Sequence, residues 1–274
     1  GIGFGHNGFI PIPEIQFLAY LHNAEDQLRG EAATLPFFSE GRFTNPMVLR
    51  IPGLAYQQGF GGHYHNDNSL TVFRDIPGLI LAVPSNGADA AKMLRTAVRE
   101  AYENGRVAVF LEPIALYMMK DLHELKDRKW NFQYPGLEED IPLGEFAVYG
   151  KGKALTIITY GNGLYLSLQA QREIEKRLKK KIKVIDLRWL SEIDIQGLLK
   201  TIGACVNVLI VDECRRTGCH GEGLMTQLVS ESERPINLKL HAAEDSFIPL
   251  GVAATATLPS KESIIQNALE LING

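Results

Sequence analysis

Hydrophobic and polar positions divide the chain into short, continuous apolar runs and longer segments in which apolar residues recur every three or four positions. Unbroken apolar runs are typical of strands buried on both faces, and the longer period is that of helices. In the first half this pattern predicts strands at 48–51, 79–83 and 107–111. It also predicts two helices, at 14–35 from helix-compatible residues and at 88–102 from a regular apolar face.

The second half repeats the alternation without interruption. Its apolar runs predict strands at 155–160, 184–187, 208–211 and 238–241. Helical segments separate them at 163–180, 195–202 and 223–230, and a last helix begins at Ser260 after Pro259. Ser85 and Asn86 are candidate caps for the 88–102 helix of the first half. Strands that alternate with helices in this way indicate an α/β fold with parallel sheets.

A polar segment rich in glycine and proline separates the two halves, at 120–153. Structureless connections of that length are uncommon inside one compact domain, so the segment predicts a domain boundary near Gly150. We therefore expect two α/β domains, at 1–135 and 151–274, joined by a linker at 136–150.

Composition narrows the class of protein. Basic residues number 28 against 32 acidic ones, for a net charge of −4, so no overall positive field favours nucleic acid or an anionic membrane. Cys205, Cys214 and Cys219 are too few for a disulfide framework and favour a reducing compartment, the cytoplasm. The sequence contains no spanning segment or signal peptide, and its glycine start indicates a cut or processed chain.

The candidate chemistry lies in the glycine-rich segment GFGGHYHND at 59–67. In an extended conformation His63, His65 and Asp67 would share one face and could form an open zinc site. The glycines favour a loop instead, where a histidine that titrates near neutral pH is suited to proton transfer. A third interpretation is purely structural, with two loop histidines whose polar atoms are satisfied by neighbouring groups. We expect no metal here.

Other motifs favour structural roles. The Cys214 and Cys219 pair has a spacing that fits zinc knuckles poorly, and its glycines indicate a tight turn. The basic run at 176–183 suits a helix end that faces water. The signatures of nicotinamide binding, of P-loop nucleotide binding and of the hydrolase elbow are absent from the sequence.

Several motifs together resemble one family, the β subunits of the E1 component of 2-oxo acid dehydrogenase complexes. In the first half these are PEIQFLAY at 13–20, VLRIPG at 48–53, GGHYH at 61–65, IPGL at 76–79, VPS at 83–85 and VFLEP at 109–113. The second half adds DLR at 186–188, VDE at 211–213 and TGCHGE at 217–222. The resemblance implies a thiamine diphosphate-binding pyrimidine domain, incomplete at its N-terminus, followed by a transketolase C-terminal-like domain.

The resemblance also implies site residues. Gln16 and Tyr20 match positions that line the pyrimidine pocket, and His65 matches the active-site histidine, whereas His63 has no such match. The glutamate that activates the cofactor in this family would precede residue 1, so the chain by itself is expected to be inactive. HND at 65–67 stands where the family usually has His-Ser-Gln, a departure beside the active-site position.

The cofactor and partners follow from the same resemblance. An α partner would hold the diphosphate of thiamine diphosphate and its Mg²⁺, and a structural K⁺ occurs in the family. The expected reaction is oxidative decarboxylation of pyruvate or a branched-chain 2-oxo acid, with acyl transfer to lipoamide on the E2 acyltransferase. Two β chains would pair as a homodimer. The alternatives are a transketolase-like transferase and a mainly non-catalytic module for dimerisation and E2 binding.

Overall fold

The computed structural model describes residues 1–55 and 62–273. Its first sheet contains β1 (Met47–Gly53), β2 (Ile80–Ala82) and β3 (Val107–Pro113). The strands are parallel and lie in the order β1-β3-β2. β2 is buried along its whole length and β3 at all positions except Glu112. Burial on both faces explains the unbroken apolar runs, and the three predicted strands are confirmed.

The second sheet contains β4 (Ala147–Tyr149), β5 (Thr156–Thr159), β6 (Lys183–Asp186), β7 (Asn207–Arg215) and β8 (Asn237–Ala243). Its order is β4-β6-β5-β7-β8, and every pairing is parallel except that of β4 with β6. Four of these strands were predicted. β4 was not, because its three residues are only partly buried or exposed and form no apolar run. It lies inside the segment predicted as a linker, and the domain limits stay a prediction.

The described chain has five helices of eight residues or more, of which the first four connect strands and the last follows β8: α1 (Gly87–Asn104), α2 (Asn162–Leu178), α3 (Ile195–Ile202), α4 (His220–Glu231) and α5 (Lys261–Asn273). Each corresponds to a predicted helix. Asn86, not Ser85, caps α1, because its side chain accepts a hydrogen bond from the Asp89 amide at 3.0 Å. α1 ends at Gly105, whose φ of +63° suits a residue without a side chain.

The single helix predicted at 14–35 is wrong in its start and its continuity, although much of residues 18–32 is helical. Residues 11–15 instead run beside β1, where Pro11 and Pro13 carbonyls accept hydrogen bonds from Val48 and Arg50 amides at 3.1 and 2.9 Å. Glu14 and Arg50 form a parallel bridge. The chain then continues as short helical segments, Leu18–Asn23, Glu25–Gln27, Leu28–Ala32 and Leu35–Phe38. Other short helical segments are Ile2–His6, Gly62–Tyr64, Leu70–Asp75, Ile114–Leu116 and Gly251–Thr255.

A single apolar cluster joins the two sheets. It contains Leu18 and Ile51 from the first half together with Ile158, Ile185 and further residues of the second. Backbone hydrogen bonds also cross between the halves, from Val83 to Arg188 and from Leu190 to Leu81, both at 2.8 Å. None of the helices among the described residues is both long and apolar enough to cross a bilayer.

Candidate active site

The candidate site lies where β1 ends. Segment 11–15 runs beside this strand and delivers Phe17 and the turn Leu18–Asn23 to the end of the sheet. Leu18 then packs closely on β1, because a side chain at Gly53 would come within 2.9 Å of Leu18 Cβ. Gly53 is therefore required for this close approach. Tyr20, on the turn, is partly buried.

His65 completes an aromatic cluster with this turn. Its ring lies 4.7 Å from the Phe17 ring and 6.1 Å from the Tyr20 ring, centroid to centroid, with interplanar angles of 81° and 74°. The Tyr64 ring stands 6.5 Å from that of Tyr20. Edge-to-face contacts of this kind are the favoured geometry for aromatic pairs and hold the rings in a defined orientation.

The three site residues predicted from the sequence have different placements. Tyr20 and His65 come together, although 45 positions separate them along the chain. Gln16 is exposed and precedes Phe17 directly. His63 is exposed too, with its ring 4.0 Å from that of Tyr64, so it lies outside the Phe17, Tyr20 and His65 contacts. Of the glycine-rich segment, Gly59, Phe60 and Gly61 lie outside the described residues.

The zinc alternative at His63, His65 and Asp67 is not supported. Within residues 1–55 and 62–273, no group of three or more His, Cys, Asp or Glu side chains is placed to hold a metal ion. Asp67 instead accepts a hydrogen bond from the Ser69 amide at 3.3 Å and pairs with Arg215 at 3.5 Å. Among the described residues, the contacts of His65 are therefore with aromatic rings and not with a metal-binding group.

Cys214 and Cys219 are buried free thiols at the end of β7 and before α4. Burial raises the pKa of Cys214 well above its ordinary value and that of Cys219 to about 12. A thiol that stays protonated at neutral pH is a poor ligand and nucleophile, so the structural interpretation of this pair is supported.

A cluster of polar side chains lies beside segment 11–15. Arg50 on β1 pairs with Glu112 at 2.6 Å and with Glu14 at 3.2 Å, and the Tyr117 hydroxyl donates to Glu112 at 2.5 Å. Burial raises the pKa of Tyr117, so this phenol stays a hydrogen-bond donor. Arg50, Glu112 and Tyr117 border a cavity of about 730 Å³, and its other walls include Phe110, Trp130 and Phe132. Local sequence patterns do not point to this cavity, because its walls come from separate segments.

Sequence reasoning also missed the residues that support the His65 turn. Asn68 donates a hydrogen bond to the Glu213 main-chain oxygen at 2.6 Å, and Arg215 donates to the Asn68 side-chain oxygen at 2.8 Å. Both partners lie at the end of β7. The VDE motif at 211–213 was the signal available for them, although nothing local connects it with residue 68.

Comparisons with known proteins agree over nearly the whole chain. The family model "Transketolase, pyrimidine binding domain" matches residues 1–118, and "Transketolase, C-terminal domain" matches residues 144–244. The pyruvate dehydrogenase E1 component subunit beta of Bacillus subtilis (strain 168) is 30% identical over 282 residues, which cover 99% of this chain and 79% of that protein. The protein of the same name from Staphylococcus aureus (strain Mu50 / ATCC 700699) shows the same identity and coverage.

A further relative and a solved structure extend the comparison. The subunit beta of Staphylococcus epidermidis (strain RP62A) is 30% identical, with 97% of this chain and 78% of that protein covered. The split gene transketolase, solved as an inactive beta4 tetramer, superposes with a TM-score of 0.73 over 99% of this chain and 79% of its own. At 17% identity this likeness shows the fold alone.

Proposed function

The chain belongs to the family of pyruvate dehydrogenase E1 component beta subunits, and on that premise we propose that it is the β subunit of a thiamine diphosphate-dependent 2-oxo acid dehydrogenase. The reaction is oxidative decarboxylation of pyruvate or a branched-chain 2-oxo acid, with transfer of the acyl group to lipoamide of E2. One observation carries this proposal. Tyr20 and His65, distant in sequence, meet in one aromatic cluster beside the end of β1.

The residues of this cluster suit the pyrimidine of thiamine diphosphate. A flat aromatic ring packs well against the faces and edges of Phe17 and Tyr20, and the exposed amide of Gln16 can donate and accept hydrogen bonds at ring nitrogens. The cofactor, when bound, supplies the carbon nucleophile for decarboxylation. We assign its diphosphate and Mg²⁺ to an α partner and leave the K⁺ of the family without assigned ligands.

His65 is the proposed acid and base of the site. It is partly buried, and its ring contacts that of Phe17. An imidazole can donate or accept a proton at neutral pH, as the decarboxylation of a 2-oxo acid and acyl transfer require. The ring contacts orient the imidazole, so that its role is proton transfer at a defined place.

The proposed assembly contains two β chains paired mainly through the C-terminal domain, an α partner and the E2 acyltransferase. The names of the relatives, which describe a subunit of the E1 component, support an α partner. Closed twofold pairing is the commonest arrangement of soluble oligomers. The free state of Cys205, Cys214 and Cys219 supports the cytoplasm as the compartment.

The test is an assay of this chain, in its full-length context and assembled with its α partner, on a panel of 2-oxo acids. We expect decarboxylation that depends on thiamine diphosphate and Mg²⁺, and acyl transfer to lipoamide with one preferred substrate. Transfer of a two-carbon ketol unit between sugar phosphates, without decarboxylation of any 2-oxo acid, would replace this proposal with the transketolase-like alternative.

A further inference from the structure

Ala55, at the end of the segment that follows β1, is attached to the second half of the molecule through its backbone. Its amide donates a hydrogen bond to Glu213 Oε1 at 2.6 Å, across 158 positions of sequence. Its carbonyl accepts one from the Asn162 side chain at 3.3 Å, at the start of α2. Ala55 is fully buried and Glu213 is 4% exposed. These bonds are therefore shielded from competition with water.

The chain that follows His65 is attached to the same residue. Asn68 donates to the main-chain oxygen of Glu213 at 2.6 Å, and Arg215 donates to the Asn68 side chain at 2.8 Å. Asp67, which precedes Asn68 in the chain, forms an antiparallel backbone bridge with Leu54, the residue before Ala55. Glu213 thus contacts the chain on both sides of His65 in sequence, at Ala55 through its carboxyl group and at Asn68 through its backbone.

Burial of the Glu213 carboxyl group is energetically unfavourable. The pKa of Glu213 is raised to about 7, mainly by burial and in smaller part by the neighbouring Asp212, against the opposing effects of the Ala55 amide and the Asn162 side chain. Its second oxygen, Oε2, has no hydrogen-bond partner among the described residues. Asp212 precedes Glu213 in the chain, and Arg215 pairs with Asp67 at 3.5 Å beside the Asn68 contact. An apolar side chain would avoid this desolvation but would leave the Ala55 amide unsatisfied.

We propose that Glu213 is a positioning residue, which aligns the turn that carries His65 with the second domain by holding Ala55 and Asn68. This inference rests on the proposed function, in which His65 acts on the substrate. Glu213 itself touches no reacting group in this assignment. Its acceptor oxygen, and not its charge, is the feature required for alignment.

The first test measures amide hydrogen exchange in the whole chain, without any assay of activity. Glu213→Ala removes the acceptor, so we expect the Ala55 amide to exchange about tenfold faster or more. Glu213→Gln keeps an acceptor oxygen and should restore protection. Glu175→Ala is the matched control, since Glu175 also accepts a backbone hydrogen bond, from Ile182 at 3.1 Å, but within the second domain. It should leave Ala55 unchanged.

The second test uses the enzyme assembled with its α partner. Misplacement of His65 should lower kcat by about 10- to 100-fold in Glu213→Ala, with little change in KM, and Glu213→Gln should recover most of the loss. If Glu213→Ala does not fold, Asn68→Ala removes the other attachment, and it should show the same fall in kcat with little change in KM. Unchanged Ala55 exchange in folded Glu213→Ala, or a Gln variant as impaired as the Ala variant, would overturn the positioning role. An inactive wild-type assembly would instead overturn the proposed function, while the exchange result would still decide whether Glu213 holds Ala55.

Discussion

Asp186 and Asp212 are both buried aspartates, but their carboxyl groups accept different numbers of hydrogen bonds. Asp212 is completely buried and accepts from the Tyr160 hydroxyl at 2.5 Å and from the Cys214 and Gly221 amides at 2.8 Å. Asp186 accepts from Ser85 at 2.8 Å, but its second oxygen has no partner in the described part of the chain. Burial raises the pKa of Asp186 to about 7, against the opposing effects of Ser85 and Arg188.

Comparison of Asp186→Asn with the wild type should show that burial of the Asp186 carboxyl makes the stability of the protein depend on pH. The native carboxyl has a raised pKa, so between about pH 4 and pH 7 the native state retains a proton that the unfolded chain has lost. The free energy of unfolding of the wild type should therefore fall, relative to the variant, as pH rises through this window and level off above it. The scale is about 1.4 kcal/mol per unit of pKa difference.

Urea unfolding at several pH values between 4.5 and 8 measures this difference. The exposed residue Asp26 provides the control, because Asp26→Asn removes a carboxyl that is not buried. A wild-type to Asp186→Asn difference that stays constant across the range would show that Asp186 is not protonated in the native state.

His65 and His63 form a matched pair for the catalytic assignment. His65→Ala should lower turnover into lipoamide about 10²- to 10⁴-fold, the usual effect of removing a positioned acid, base or charge stabiliser. His63→Ala should have a much smaller effect, because its exposed ring contacts Tyr64 and lies outside the Phe17 and Tyr20 cluster. Steady-state kinetics of the assembled enzyme, with cofactor affinity measured alongside, make the comparison. Equal activity in both variants and the wild type would remove His65 from the mechanism.

At the scale of elements, the edge of the first sheet explains why the helix predicted at 14–35 does not begin at Glu14. β1 is an edge strand in the order β1-β3-β2, so its outer amides need acceptors. The carbonyls of Pro11 and Pro13 supply them, and a proline suits such an edge because it has no N–H to pair. From Leu18 the helix-compatible residues do form helical segments, but without a regular apolar face they do not join into one long helix.

α1 provides an element-scale prediction. Asn86→Ala removes the side-chain acceptor for the Asp89 amide and should lower the free energy of unfolding by about 1 kcal/mol. Asn104→Ala, at the exposed end of the same helix, is the control and should have a smaller effect, because its contact with Glu100 lies at the surface. Denaturant unfolding measures both. Equal losses would mean that the Asn86 hydrogen bond adds little to helix stability.

At the scale of the whole molecule, the two sheets share one apolar core and also a buried ion pair. Arg188, 12% exposed, pairs with Asp89 of α1 at 2.9 Å, and Trp189 bridges to Ala82 of β2. A domain that unfolded alone would expose the shared core and leave these partners unsatisfied. The two halves therefore stabilise one another.

We accordingly predict one cooperative unfolding transition for the chain. Calorimetry should give a van't Hoff enthalpy equal to the calorimetric enthalpy, within error, for the unit that unfolds. Fluorescence of Trp130 and Trp189, which lie in different apolar clusters, should change over the same range of denaturant. Two separate transitions would mean that the shared core contributes little to the stability of either half.

The sequence by itself determined the strands buried on both faces, the helices with a regular apolar face and the family, because each of these depends on local periodicity or on short motifs. The tertiary structure alone decided which distant residues meet. Tyr20 with His65 and Ala55 with Glu213 are contacts that follow from strand order and packing between sheets. Local pattern cannot specify them, because a buried amide can donate to any suitably placed oxygen and the fold determines which oxygen is near.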